Sequence, residues 1–110
     1  MKSEISIGDF EKLDIRVGKI TAANKIPGAK TLMLLKVDIG EPEPRQLVAG
    51  LVGYYEPEEL IGKYVVVLAN LKPKKFMGFE SKGMILAADE GGKPILLTVD
   101  KKVKPGCPVK

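Results

Sequence analysis

Between Leu32 and Ile39 the chain alternates, with Met33, Leu35, Val37 and Ile39 on every second position. That is the period of a strand with one buried face. Lys36 and Asp38 mark the other face as wet towards its end. Gly40-Glu-Pro-Glu-Pro44 then reads as an exposed turn and Gln46-Leu-Val-Ala-Gly50 as the next strand. The apolar run Tyr64–Ala69 marks a buried strand over 63–69, and Gly83–Ala88 another. A hairpin through Glu90-Gly-Gly-Lys93 leads to a last strand, Ile95–Val99, before a tail rich in Lys, Pro and Gly.

The first strand, Asp14–Ala23, changes phase. Ile15 and Val17 share one face, but the next large apolar residue, Ile20, has the opposite parity. A side-chain period of two switches only through an inserted residue, so a bulge is expected at Gly18. Two short helical pieces punctuate the strands. Ser6–Leu13 reads as a turn capped by Ser6 with Phe10 and Leu13 facing inward. Glu56–Ile61 carries proline in its first turn and is closed by Gly62. The order β-β-β-α-β-β with a bent first strand predicts an all-β fold. It is a five-stranded OB barrel with the helix between strands three and four, a short N-terminal helical turn and a C-terminal extension.

At 110 residues the chain is expected to form one domain over 1–110, its core running from about 9 to 100 and the extension reaching 110. It has no His, which removes the residue most used for acid–base work near neutral pH and the commonest transition-metal ligand. The single cysteine, Cys107, forms no internal disulfide or thiolate cluster, which fits a reducing compartment. No apolar run approaches membrane-spanning length, and the expectation is a cytoplasmic protein without cofactor or metal. The net charge is +4, and its distribution matters more than its size. Lys63, Lys72, Lys74, Lys75 and Lys82 collect in 63–82, where Glu80 is the only acid. A strand running straight into a basic, Gly/Pro-punctuated loop fixes positive charge on a scaffold, as recognition of a phosphate-bearing partner requires.

Several segments in order carry a family resemblance. They are Leu13-Asp-Ile-Arg-Val-Gly-Lys-Ile20, Arg45-Gln-Leu-Val-Ala-Gly50, Tyr55-Glu-Pro-Glu-Glu-Leu-Ile-Gly-Lys63, Ala69-Asn-Leu-Lys-Pro-Lys-Lys75 and Gly78-Phe-Glu-Ser-Lys-Gly-Met84. The chain resembles the tRNA-binding domain found at the C-terminus of many methionyl-tRNA synthetases, in endothelial-monocyte-activating-polypeptide-like proteins, and as a free-standing dimeric protein. Its length suggests the free-standing form or a separate synthetase subunit. The resemblance implies an OB fold that grips the outer corner of folded tRNA by shape and assists methionyl-tRNA synthetase.

The positions the family pattern places against RNA are Asn70, Lys72, Lys75, Ser81 and Met84, with Lys74, Lys82 and Lys30 as neighbouring candidates. Each has a plainer alternative. Asn70 could finish a turn, the lysines could be solvated, Ser81 could bond its own loop, and Met84 could fill the core. One departure stands in the turn before strand two. The family commonly reads His-Pro-x-Ala-Asp-Lys-Leu there, whereas this chain reads Ile26-Pro-Gly-Ala-Lys-Thr-Leu32. Its lysine, Lys30, thus comes one place early. The export chaperones of the CsaA type, which bind unfolded peptides as dimers, share the barrel and the Asp-Ile-Arg start. They typically carry Asn-Phe-Pro-Pro where this chain has Asn70-Leu-Lys-Pro73 and lack the Ser-x-Gly-Met ending. They supply the alternative function.

OB folds usually stack unpaired bases on aromatic rings of strands two and three. Residues 32–52 contain no Phe, Tyr or Trp, which disfavours a general single-strand binder. What remains is charge plus shape, with little discrimination among tRNAs. Only Arg16 and Arg45 supply guanidinium forks. The family's free-standing members are homodimers, and Leu96, Leu97, Val99, Val103 and Val109 offer apolar material for such an interface. No paired carboxylates or phosphate-cradling loop mark an enzyme.

Overall fold

The computed structural model describes residues 1–110. Helix α1 (Ile7–Phe10) starts at a capping box. The Ser6 hydroxyl accepts from the Asp9 N–H, and the Asp9 carboxylate accepts from the Ser6 N–H. Phe10 is half-buried, whereas Leu13 is exposed, so only the first of the two turns inward. Strand β1 (Ile15–Lys25) follows, then β2 (Met33–Asp38), β3 (Arg45–Ala49), helix α2 (Pro57–Leu60) and β4 (Tyr64–Leu68). After these come β5 (Lys74–Phe76), β6 (Phe79–Ser81), β7 (Met84–Ile85), β8 (Ala87–Glu90) and β9 (Lys93–Leu96).

Five antiparallel strands in the order β3-β2-β1-β4-β7 curl into a nearly closed, OB-like barrel. The seam lies between β3 and the residues entering β7. The Lys82 N–H donates to the Gln46 carbonyl at 3.0 Å, and the Ser81 hydroxyl accepts from the Val48 N–H at 3.0 Å. Met33, Leu35, Val37 and Ile39, the alternating set of the second strand, are fully buried with Ile20, Leu47, Leu60, Val65 and Val67. Each such side chain contributes about 1.5–3 kcal/mol through removal from water. Leu60 is the buried residue of α2, which is why so short a helix is held.

β1 serves two neighbours. Residues 15–19 pair with β4 and 19–25 with β2, and the second register slips between Ile20 and Ala22. The bulge is therefore at Thr21, not at Gly18 as the parity of the apolar residues suggested. Gly18 answers a different demand. A Cβ there would lie 2.6 Å from Val37 Cγ1 and 3.1 Å from Ile39 Cγ2, so it is a close approach of backbone to core. The parity change arises because both faces of β1 are covered at this end. Val17 is buried without joining the main core, opposite Val66 in the ladder. The C-terminal tail occupies the edge of β1 beyond β2, Val17 donating to the Cys107 carbonyl and Val109 to the Ile15 carbonyl.

Two further differences concern 70–97. The basic loop contains a two-residue hairpin, β5–β6, turning at Met77 (φ +52°) and Gly78 (φ +85°). Both central residues are left-handed, as a tight hairpin turn of matching twist demands. The expected fifth strand is divided between β7 and β8, with Leu86 donating to the Val66 carbonyl between them.

Candidate nucleic-acid interface

The basic stretch 70–82 leaves the end of β4 and returns at the seam. One side chain holds both of its ends. Arg45, at the start of β3, donates from Nη1 to the carbonyl of Ala69 at 2.5 Å and to that of Lys82 at 3.1 Å. Its other nitrogens form a two-point fork on Glu41, at 3.1 and 2.6 Å. Planar guanidinium geometry permits this four-way junction, which a lysine ammonium could not reproduce. The fork holds the Glu41 carboxyl below its ordinary value. Arg16 is likewise engaged on Asp14 at 2.9 Å through Nε and Nη2, which lowers the Asp14 carboxyl and raises the guanidinium. Both arginines are thus engaged by acids, and Arg45 alone joins separate elements.

Asn70 latches the loop to the N-terminal segment. Its Oδ1 accepts from the Asp14 N–H at 2.8 Å and its Nδ2 donates to the Lys12 carbonyl at 2.7 Å. Ser81 is 4% exposed, and its hydroxyl is used twice, accepting from Val48 and donating to the Gly83 carbonyl at 3.1 Å. Asn70 thus bonds across the chain rather than finishing a turn, and Ser81 bonds both its own loop and the facing strand.

Lys72, Lys74 and Met84 come together around one groove of about 710 Å³, with Ser81 in its lining. Its floor is apolar, formed by Val48, Leu51, Ile85 and Leu96 among others, and Leu71 and Phe76 contribute to its walls. The Lys74 ammonium sits 5.1 Å from the centre of the Phe76 ring. Strand alternation separates Lys74 and Phe76, which line the groove, from Lys75, whose cross-strand partner is Glu80. Lys82 borders a second, polar depression of about 590 Å³ with Glu41, Arg45 and Gln46, and its ammonium is 3.8 Å from Glu80. Lys30 is exposed in the turn after β1 and lines neither groove. The Met77 methyl lies 3.7 Å from where a Cβ on Gly28 would be, so the hairpin tip rests close to that turn.

Lys30, Lys72, Lys74 and Lys75 form no ion pair. Cations without an acid partner on a stapled loop can meet phosphates without first breaking an ion pair, Lys74 being held only by the Phe76 ring. The part of the site that sequence reasoning missed is Arg45 as its support. The available signal was Glu41 four residues before one of only two arginines, at a strand entrance.

Residues 15–108 match the tRNA binding domain family. The chain is 60% identical over 105 residues to the methionine–tRNA ligase of Archaeoglobus fulgidus, covering 96% of this chain and 16% of that one. It is 50% identical over 108 residues to the enzyme of Thermotoga maritima, covering 98% and 17%. The chain thus spans about a sixth of the length of these ligases. Among solved structures, a MetRS-related protein from Pyrococcus horikoshii superposes with a TM-score of 0.91 at 40% identity, covering 99% of this chain and all of that one. The chaperone CsaA of Bacillus anthracis superposes at 0.88 and 31% identity, covering 98% and 100%. No helix here is long and apolar enough to cross a membrane. With nearly the whole barrel matched, the chain belongs to the tRNA-binding domain family and is homologous to the non-catalytic C-terminal domain of methionyl-tRNA synthetases.

Proposed function

We propose that this domain grips folded tRNA through the face around residues 70–84, by phosphate contact and shape rather than base sequence, and assists methionyl-tRNA synthetase. The observation that carries this reading is the set of unpaired lysines, Lys72, Lys74 and Lys75, on a loop whose ends Arg45 fixes. In this reading Lys82, Asn70 and Met84 border that face, Lys30 joins from the turn near the hairpin tip, and Ser81 supports it from within. Ammonium groups fixed by a scaffold select a matching arrangement of phosphates, which a folded RNA offers and a flexible strand must pay entropy to adopt. A homodimer through the apolar residues of the C-terminal region (Leu96, Leu97, Val99, Val103 and Val109) would present two such faces to one tRNA.

A gel-shift titration tests this directly. It compares folded tRNA, heat-denatured fragments of that tRNA, and single-stranded RNA of equal length at two salt concentrations. Preference for folded tRNA is expected, with log affinity falling at a slope of roughly −3 to −4 against log salt for about four neutralised phosphates. Equal binding of all three RNAs would reduce the protein to a general basic binder. The CsaA likeness and the apolar floor of the groove favour a second reading, peptide binding. Absence of RNA binding together with capture of an unfolded peptide would select it.

A further inference from the structure

The lysines account for one half of the candidate surface and leave the other unexplained. Between Lys72 and Lys74 the surface is an apolar groove, with Leu71 43% exposed and Met84 47% exposed at its margins. Phosphates have no use for such a floor. Its volume, about 710 Å³, lies in the range of small-ligand sites. Met84 follows directly on the seam that Ser81 bonds to Val48 and Gly83, and Leu71 lines the same groove, so the apolar margin sits on hydrogen-bonded structure.

We propose that the groove seats one unpaired nucleobase of the bound RNA. This rests on the tRNA reading and adds a contact that charge and shape do not supply. The occupant follows from the combination of lining and rim. A flat, uncharged heterocycle with a phosphate on either side needs apolar walls within and cations at the edge, which Met84, Leu71 and Phe76 provide with Lys72 and Lys74. The thioether of Met84 is soft and conformationally adaptable, suited to packing on a ring face. The groove does not read the edge of the base. Its buried hydroxyl, on Ser81, is committed to Val48 and Gly83, so purines and pyrimidines should both enter on stacking alone. An extended binder of many bases is disfavoured by the absence of aromatic residues along 32–52. The arrangement is a single anchor point within an otherwise electrostatic contact.

The test separates this contact from the lysines. Wild type, Leu71→Ser with Met84→Ser, and Lys72→Ala with Lys75→Ala are each titrated with an unmodified tRNA transcript over a salt series. The apolar pair should lose roughly tenfold in affinity with its salt slope unchanged, whereas the lysine pair should flatten the slope. Dimethyl sulfate and carbodiimide probing of the wild-type complex, which together report on all four bases, gives an independent readout, with one loop base expected to lose reactivity on binding. Full affinity in the Leu71/Met84 variant, or no protected base in the wild-type complex, would overturn the groove contact and leave the electrostatic reading standing. Competition of an apolar peptide for the groove while the tRNA remains bound would overturn it in favour of a peptide site. Failure of wild type to bind tRNA at all would remove both.

Discussion

Two faces of the barrel leave groups without partners, and they differ in kind. The face around 70–84 exposes Lys72, Lys74 and Lys75 with no acid near enough to pair, Lys82 alone meeting Glu80 at 3.8 Å. The face formed by α1 and the C-terminal tail exposes Ile7 and Leu13 around a depression of about 400 Å³ that Phe10 and Val109 also line. A lone ammonium is content in water, so the first face is stable while empty and discriminates by geometry. Contiguous exposed apolar surface is better covered, so the second invites a protein surface. The supports differ accordingly. Hydrogen bonds from Arg45, Asn70 and Ser81 hold the first, and backbone pairing of the tail along β1 holds the second. Position-sensitive recognition needs the stiffer of the two.

The largest effect is expected where the second face is broken. Val109→Asp, at the residue this face shares with the proposed homodimer interface, should convert the proposed dimer to a monomer in sedimentation and lower tRNA affinity about 100-fold through lost bivalency. An unchanged mass would show that the apolar face has another cover. Next comes the first face, where Lys72→Ala with Lys74→Ala should weaken all tRNAs about tenfold or more and reduce the salt slope by about 2. Lys75→Ala alone, on the opposite side of the hairpin, should do less than either. Arg45→Gln should cost about 2–3 kcal/mol in urea unfolding, because it orphans two carbonyls and the Glu41 carboxylate together. Arg45→Lys should recover little, since an ammonium cannot fork. Ser81→Ala should cost about 1–2 kcal/mol by stranding the buried Val48 N–H. Its tRNA affinity, measured where the variant is folded, should stay near wild type if the hydroxyl serves only the seam.

The smallest effect is in pH. The carboxyls of Asp14 and Glu41 titrate below their ordinary values in the folded protein because Arg16 and Arg45 bond them. The unfolded chain therefore takes up protons first on acidification, and stability falls as pH drops. The contribution is complete above the ordinary carboxyl range near pH 4–4.5 and disappears as pH passes down through the lowered folded values. Chemical unfolding at pH 6 and pH 3 should show the loss, and Glu41→Gln should show less of it.

The barrel was legible because its core strands obey a period of two and its turns are marked by Gly and Pro. Met33 to Ile39 could be assigned to the interior by eye. The hairpin inside the basic stretch was not legible, since its turn begins with Met77, a residue that seldom takes a positive φ. The bulge was misplaced for a related reason. Gly18 looked like the irregular position, whereas Thr21 carries the slip, and no local property of Thr announces it. At the site, the lysines could be read from composition, but the separation of Lys74 from Lys75 depends on a strand the sequence did not reveal. Arg45 was visible as a cation and not as a staple, because its partners, Ala69 and Lys82, are backbone carbonyls 24 and 37 residues away.

The slip at Thr21 also governs which changes of length the barrel tolerates. Ile20 and Ala23 both face the core only because an extra residue stands between them. Deleting Thr21 would leave Ala22 opposite Lys36 and Ala23 opposite Leu35 in a regular ladder, whereas a residue added or removed within 22–25 would turn the residues beyond it over. Insertions at Gly91-Gly92, where the β8–β9 turn is fully exposed, have no such geometry to respect. Relatives of this chain should therefore vary freely in length at that turn, and within β1 only at the bulge itself.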